Sequence, residues 1–277
     1  MSVASNSLCS PGEFESGPVI EQQNRELQHL LGHFDPVQLN ELSGFELMNR
    51  TDTKYLLSSD DLLETLPELR GNYRSLEVEE VRLSPYSTLY FDTPDLVCYK
   101  AHHNGKLNRR KYRMRRYDAN GVCFLEVKLK NSKGRTDKQR MSLSDIQPSI
   151  DESHAGFLDS IAPDLQNQSF DGLIPQLWSR FLRMTLVHNN IAERVTIDTC
   201  LSFHKGDRAV QLPGVIIAEV KQPGDDRQSP VRKQFRARGI RPLRISKYCV
   251  GSAMLNPTLK HNRFKAKLRS LQKIANV

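Results

Sequence analysis

No apolar run in this 277-residue sequence approaches the roughly 18 residues of a membrane-spanning helix. Residues 1–9 hold neither a basic stretch nor an apolar one, so a secretory signal peptide is not expected. Cysteines are few, odd in number and scattered (Cys9, Cys98, Cys123, Cys200, Cys249), with no CxxC spacing. That argues against a disulfide framework or a zinc site, and a reducing cytoplasm fits best. With 38% apolar and 26% charged residues, and a mean hydropathy of −0.54, the chain reads as soluble and globular.

What is abundant is positive charge. Forty Lys and Arg face 32 Asp and Glu, a formal net of +8 and a pI near 9.3. The excess is local: residues 100–141 hold 14 Lys/Arg against 3 Asp/Glu, while residues 1–49 carry seven acids and one Arg. A cationic segment inside a near-neutral protein points to an anionic partner.

Composition divides the chain into a tail rich in Ser, Gly, Pro and Glu over residues 1–24 and a single domain over 25–277. Leu27, Leu30, Leu31, Phe34, Leu39 and Leu42 predict helical packing interrupted at Asp35-Pro36. A strand is expected over 46–57, then a short helix opened by Ser58-Ser59-Asp60-Asp61. Residues 77–203 read mostly as antiparallel hairpins, with turn signals at Asn104-Gly105, Asn120-Gly121 and Lys133-Gly134. Helices are expected to interrupt them at 151–161 and 175–187. Strands return at 193–203 and 215–222. Ser246 caps a helix ending at Asn256-Pro257, and Thr258 is expected to cap the last one.

Side chains alternate faces along a strand, so parity sorts the charges. Cys123, Leu125, Val127 and Leu129 fall on one face, and Phe124, Glu126, Lys128 and Lys130 on the other. Val195, Ile197, Thr199 and Leu201 oppose Arg194, Thr196, Asp198 and Cys200. Ile216, Ala218 and Val220 oppose Ile217, Glu219 and Lys221. Arg50, Asp52 and Lys54 share a face, as do Lys111, Arg113, Arg115 and Tyr117, and Lys138 with Arg140. One reading is an ordinary sheet with a solvated face. The other is a barrel with a polar lumen that a polyvalent anion neutralises, phosphate above all, because Arg forks bind its oxygens in pairs. The pairs Glu126/Lys128 and Glu219/Lys221 are ordinary salt-bridge partners or, alternatively, carboxylates that hold Mg²⁺ or Mn²⁺ on a polyphosphate.

Seven blocks then carry a resemblance: Asn49-Arg50-Thr51-Asp52-Thr53-Lys54-Tyr55, Tyr90-Phe91-Asp92-Thr93, Lys111-Tyr112-Arg113-Met114-Arg115, Glu126-Val127-Lys128, Arg194-Val195-Thr196-Ile197-Asp198, Glu219-Val220-Lys221 and Ser246-Lys247-Tyr248. In this order they resemble the catalytic domain of the vacuolar transporter chaperone, over about residues 39–254. The resemblance implies an α+β fold of the triphosphate tunnel metalloenzyme type, a closed antiparallel tunnel of about eight strands with flanking and C-terminal helices. It implies a polyphosphate polymerase that moves the γ-phosphate of ATP onto a growing chain with Mn²⁺ or Mg²⁺. By matching position, Arg50, Lys54, Arg113, Arg115, Lys128, Lys138, Arg140, Arg194 and Lys221 would bind phosphate. Glu219 would hold the metal, with Glu126 a second metal candidate, and Lys247 would stand near the tunnel mouth. Lys54, Arg113, Arg115, Lys128, Glu219 and Lys247 would form the catalytic group. Two positions depart from the wider pattern: Arg50 stands where a metal-binding carboxylate opens the first strand, and Asn49 where the polymerases often carry Glu.

Rival functions follow from the same residues. Water in place of the phosphate acceptor gives a tri- or polyphosphate hydrolase, and loss of turnover leaves a polyphosphate or inositol-phosphate sensor. Nucleic acid is disfavoured, because Tyr112 and Tyr117 are the only aromatics in the basic run 109–117. His102-His103 beside Asn104-Gly105 are expected at an exposed hairpin tip. The last helix, with Lys260, Arg263, Lys265, Lys267, Arg269 and Lys273, reads as a solvated face, as a contact with a membrane surface or membrane protein, or as a basic face that pulls product towards the tunnel.

Overall fold

The computed structural model describes residues 17–42, 50–132, 136–161, 172–224 and 228–275. Asn49, the Lys133-Gly134 turn and the first part of the expected tail lie outside them. The strands are β1 (Pro36–Val37), β2 (Arg50–Ser58), β3 (Tyr73–Leu76), β4 (Ser84–Asp92), β5 (Arg109–Tyr117), β6 (Val122–Lys130), β7 (Thr136–Leu143), β8 (Ile174–His188), β9 (Arg194–Lys205), β10 (Arg208–Leu212) and β11 (Val215–Pro223). The helices are α1 (Pro18–Gly32), α2 (Ser59–Thr65), α3 (Val97–His103), α4 (Glu152–Ile161), α5 (Pro230–Ala237), α6 (Lys247–Leu255) and α7 (Lys265–Ala275).

The fold is α+β, built on one antiparallel path in the order β2-β11-β9-β8-β4-β5-β6-β7. β10 and β3 pair with β9 and β8 off this path, and β1 adds to β3 in parallel. The path curls enough for β2 and β7, its two ends, to contribute to one cavity. The family resemblance implies a closed tunnel. Among the described residues no ladder joins β2 to β7, so the sheet is a curled half-barrel.

Parity explains why one face of this sheet is dry. Val195, Ile197, Ile216, Ala218 and Val220 pack against Leu27 and Leu31 of α1, Leu62 of α2, and Val231 and Phe235 of α5. Leu89, Met114, Leu125 and Val127 form a second apolar layer, with Leu158 of α4. Each fully buried aliphatic side chain in these layers stabilises the fold by about 1.5–3 kcal/mol. α2 starts as expected: the Ser58 hydroxyl accepts from Asp61 N–H, and the Asp61 carboxylate accepts from Ser58 N–H.

α6 lies on the concave side. Its Tyr248, Cys249, Val250 and Leu255 share a cluster with Ile217, which has the same strand parity as Glu219. Gly251 permits this approach: a Cβ there would lie 2.6 Å from Phe203 Cδ1. Ser246 caps α6 as expected, its hydroxyl accepting from Cys249 N–H.

Four expectations are corrected. Residues 175–187 are not a helix but most of the central strand β8. Its register shifts between Arg180 and Leu182, which breaks the period of two and spaces Leu177, Phe181 and Met184 as on a helix. α1 begins at Pro18, inside the stretch expected as a tail, because Leu27 and Leu31 anchor it to the core. His102 and His103 end helix α3 rather than a hairpin, and His103 is buried against Phe264. Thr258 caps nothing: its hydroxyl donates to Asn256, and α7 starts at Lys265.

Candidate functional site

The concave face encloses a groove of about 600 Å³. β2 supplies Arg50 and Lys54; β5 supplies Lys111, Arg113 and Arg115; β6 supplies Lys128; and β7 supplies Lys138 and Arg140. β8 adds Arg183, β9 adds Arg194, β11 adds Lys221, and the first turn of α6 adds Lys247. Among the described residues these twelve cations share the lining with only two carboxylates, Asp198 and Glu219. Every phosphate-binding residue expected from the sequence lines this one groove, as do Glu219 and Lys247. Glu126 does not; it is buried beneath Arg113.

Three carboxylates hold half of these cations in place. Glu126, fully buried, pairs with Arg113 Nη2 at 2.5 Å and with Lys138. Asp198 accepts two bonds from Arg183, Nε at 2.5 Å and Nη2 at 2.8 Å, and a third from Lys247. Glu219 takes Lys221 at 2.7 Å on one oxygen and Lys54 on the other. Strand register makes these pairs: Glu126 stands opposite Arg113, Asp198 opposite Arg183, and Glu219 opposite Lys54. Among the described residues, Lys111, Arg115, Lys128, Arg140 and Arg194 have no carboxylate partner. Lys111 donates to Ser246 Oγ at 2.9 Å and Arg115 to Thr88 Oγ1 at 3.1 Å, but neither hydroxyl neutralises charge.

Burial drives the titration of this wall. Desolvation pushes Lys221 down to about 8 against the opposing pull of Glu219. It pushes Lys111 to about 8, helped by Lys54 and Arg113, and Lys247 to about 8 despite Asp198. Lys128 falls well below its ordinary value through desolvation and the nearby Arg113. The carboxylates go the other way. Burial opposes their ionisation, yet the paired cations hold Glu126, Asp198 and Glu219 below the usual range. A groove with lysines near their titration point gains protons and binding energy when an anion enters.

The sequence matches the VTC domain model over residues 49–256, well over half of the chain. The chain belongs to the VTC domain family. No curated protein matches it. Among solved structures, a proposed adenylyl cyclase from Hippeastrum with a stated dominant triphosphatase activity is 15% identical, covering 73% of this chain and 95% of that one, with a TM-score of 0.47. A proposed adenylate cyclase from Bacillus halodurans is 12% identical over 72% and 94%, with a TM-score of 0.45. One from Vibrio parahaemolyticus is 15% identical over 72% and 94%, with a TM-score of 0.39. These likenesses are too loose to carry an argument about activity.

Within this VTC domain the Tyr90-Phe91-Asp92-Thr93 and Ser246-Lys247-Tyr248 blocks meet. Asp92 accepts from the Cys98 and Tyr99 N–H groups and from Tyr248 Oη, which ties α3 to α6 and aims Lys247 into the groove. Sequence pattern alone does not reveal Arg183, because residues 175–187 have helical spacing, nor does it single out Lys111 as a phosphate ligand, although it shares a face with Arg113. Nor did it assign Asp198, which orients two cations, a part in the site.

A metal held by protein alone does not suit this wall. Among the described residues no three His, Cys, Asp or Glu gather as a ligand cluster. Glu219 does fit as a single protein ligand for a divalent ion carried on phosphates, since Mg²⁺ keeps waters and substrate oxygens and takes only one or two carboxylates. Its partners are two lysines, one of them, Lys54, about one-third exposed and free to turn away. Glu126, fully buried and gripped by Arg113 and Lys138, is placed as a counter-ion for two cations.

Proposed function

We propose that this VTC domain binds a linear triphosphate or polyphosphate in its groove and transfers the terminal phosphoryl group of ATP to a growing polyphosphate chain. The observation that carries the reading is the twelve-to-two excess of cations on one groove wall, with five of them lacking a carboxylate partner among the described residues. Phosphoryl transfer asks a protein mainly for alignment and charge neutralisation, and this wall is built for both. An oxygen of the acceptor's end phosphate forms a bond to the γ-phosphorus. The bond from that phosphorus to the bridging oxygen breaks, ADP leaves, and the acceptor grows by one phosphate. Lys54, Arg113, Arg115, Lys128 and Lys247 stabilise charge on the transferred group, while Arg50, Lys138, Arg140, Arg194 and Lys221 hold the flanking phosphates. Glu219 would hold a divalent ion, Mn²⁺ or Mg²⁺, which would supply neutralising positive charge to the phosphates. An anion bridging Lys54 of β2 and Lys138 of β7 would draw the sheet's two edges toward a closed tunnel.

The open edge between β2 and β7 favours a second reading, in which water replaces the acceptor and the same groove is a triphosphatase. Incubation with ATP and Mn²⁺, with products resolved by chain length, separates the two. Lengthening chains support the polymerase, and free phosphate alone supports the hydrolase. Bound triphosphate with neither product would overturn catalysis and leave a phosphate-binding module.

A further inference from the structure

The charged face of β5 and β6 does not stop where the groove does. Arg109 stands opposite Lys130 in the ladder, one step of two residues beyond the Lys111–Lys128 rung and on the same face by parity. That step is about 7 Å. Neither Arg109 nor Lys130 lines the groove, yet both continue its cationic strip. Two further cations stand near this end. Arg244 lies two residues before Ser246, whose hydroxyl takes the Lys111 ammonium. Lys267 of α7 packs over the Phe264 ring, which also packs on His102 and His103 at the end of α3, just before β5 begins. Among the described residues none of the four has a carboxylate partner. Their titration agrees with the placement: after desolvation, Lys130 is lowered by Arg109 and Arg244, and Lys267 by Arg244. His102 is pushed down to about 3 by desolvation together with Lys111, Arg109, Lys267 and Lys130.

The opposite end of the groove is mixed, with Arg50 and Arg194 beside uncharged side chains. Leu39, Leu76, Tyr117, Asn120, Val122 and Phe124 line it there or beside it. Among the described residues, the β5–β6 ladder carries the cationic strip past the end of the groove on the Arg109 side.

We propose that Arg109, Lys130, Arg244 and Lys267 form a track that binds the part of a linear polyphosphate extending beyond the groove. The inference rests on the groove being a phosphate site, and the two are tested apart by using a short and a long ligand. The short one, inorganic triphosphate, fills the groove alone; the long one, a long-chain polyphosphate, reaches the track. The experiment compares the two ligands on the wild type and on the Lys130→Ala/Arg244→Ala/Lys267→Ala variant, over a range of salt concentrations.

The track predicts that the wild type binds the long chain more tightly and that the triple variant loses at least about tenfold of that affinity. Polyelectrolyte release also predicts that the variant's log–log salt slope for the long chain falls by about two. Triphosphate affinity stays unchanged, which also shows that the variant is folded. Replacing Lys130 and Lys267 by Arg restores long-chain binding. Equal losses for both ligands, or a wild type that does not prefer the long chain, would overturn the track. So would a variant that keeps long-chain affinity but no longer binds anionic lipid vesicles, since that would assign these cations to a membrane surface. Triphosphate that fails to bind the wild type counts against the groove itself.

Discussion

β6 and β11 carry the same short pattern, a Glu and a Lys two residues apart on one strand face, and the structure uses them differently. In β11, Glu219 turns to its own Lys221 and across to Lys54, and it remains on the groove wall. In β6, Glu126 ignores its own Lys128 and takes Arg113 and Lys138 from the strands on either side. It is fully buried, and Lys128 is left without a carboxylate among the described residues. The difference comes from position in the sheet. β6 lies between two cation-rich strands that supply partners from both sides, whereas β11 lies between β2 and β9, where Lys54 and the uncharged Thr196 face Glu219. One pattern therefore gives a fixed counter-ion in one strand and an adjustable, reachable carboxylate in the other.

Neutralising each Glu should separate these roles. Glu126→Gln leaves Arg113 buried with no counter-charge, and stability should fall by about 3–5 kcal/mol in denaturant unfolding. Acid sharpens the point. The lowered carboxyl of Glu126 contributes its full stability above the ordinary carboxylate range and loses it as pH falls through the lowered folded value. The gap between wild type and variant should therefore narrow in acid; a gap independent of pH would contradict the pairing.

Glu219→Gln should weigh on activity instead, lowering turnover on the order of 10²-fold, with a smaller stability loss than Glu126→Gln because Glu219 and its partner Lys54 are part-exposed. If Glu219→Gln unfolds the protein while Glu126→Gln only slows it, the comparison is backwards. The smallest effect belongs to Lys128. With no salt-bridge partner among the described residues, Lys128→Ala should raise the melting temperature of the ligand-free protein by a few degrees and weaken triphosphate binding roughly tenfold. A destabilised Lys128→Ala would reveal a counter-ion that the geometry does not show.

The same comparison shows what was legible in the sequence. Strand parity alone put Glu219, Lys221, Lys128, Arg113 and Arg194 on charged faces, because regular strands obey a period of two. It could not say that Glu126 would be buried, since burial depends on which strands become neighbours. Parity also failed where the backbone departs from regularity. Cys200, at φ 52°, ends the alternation that holds through Asp198, and Leu201 joins the apolar cluster around α6. The register shift in β8 disguised a strand as a helix and hid Arg183 with it. The Asp92–Tyr248 contact that orients α6 joins residues far apart in sequence, and only the fold brings them together.

The central claim is that this cationic wall is a site for a linear phosphate chain. Lys111, Lys221 and Lys247, each near 8 in the free protein, should be driven to the protonated form when phosphate arrives. Affinity should then be greatest below pH 8 and fall at least about tenfold as pH rises through that value to 9. Calorimetric titration of inorganic triphosphate at pH 8, in two buffers of different ionisation enthalpy, tests this directly. The account predicts saturable binding with net proton uptake. Binding without uptake, proton release, or no binding would contradict it.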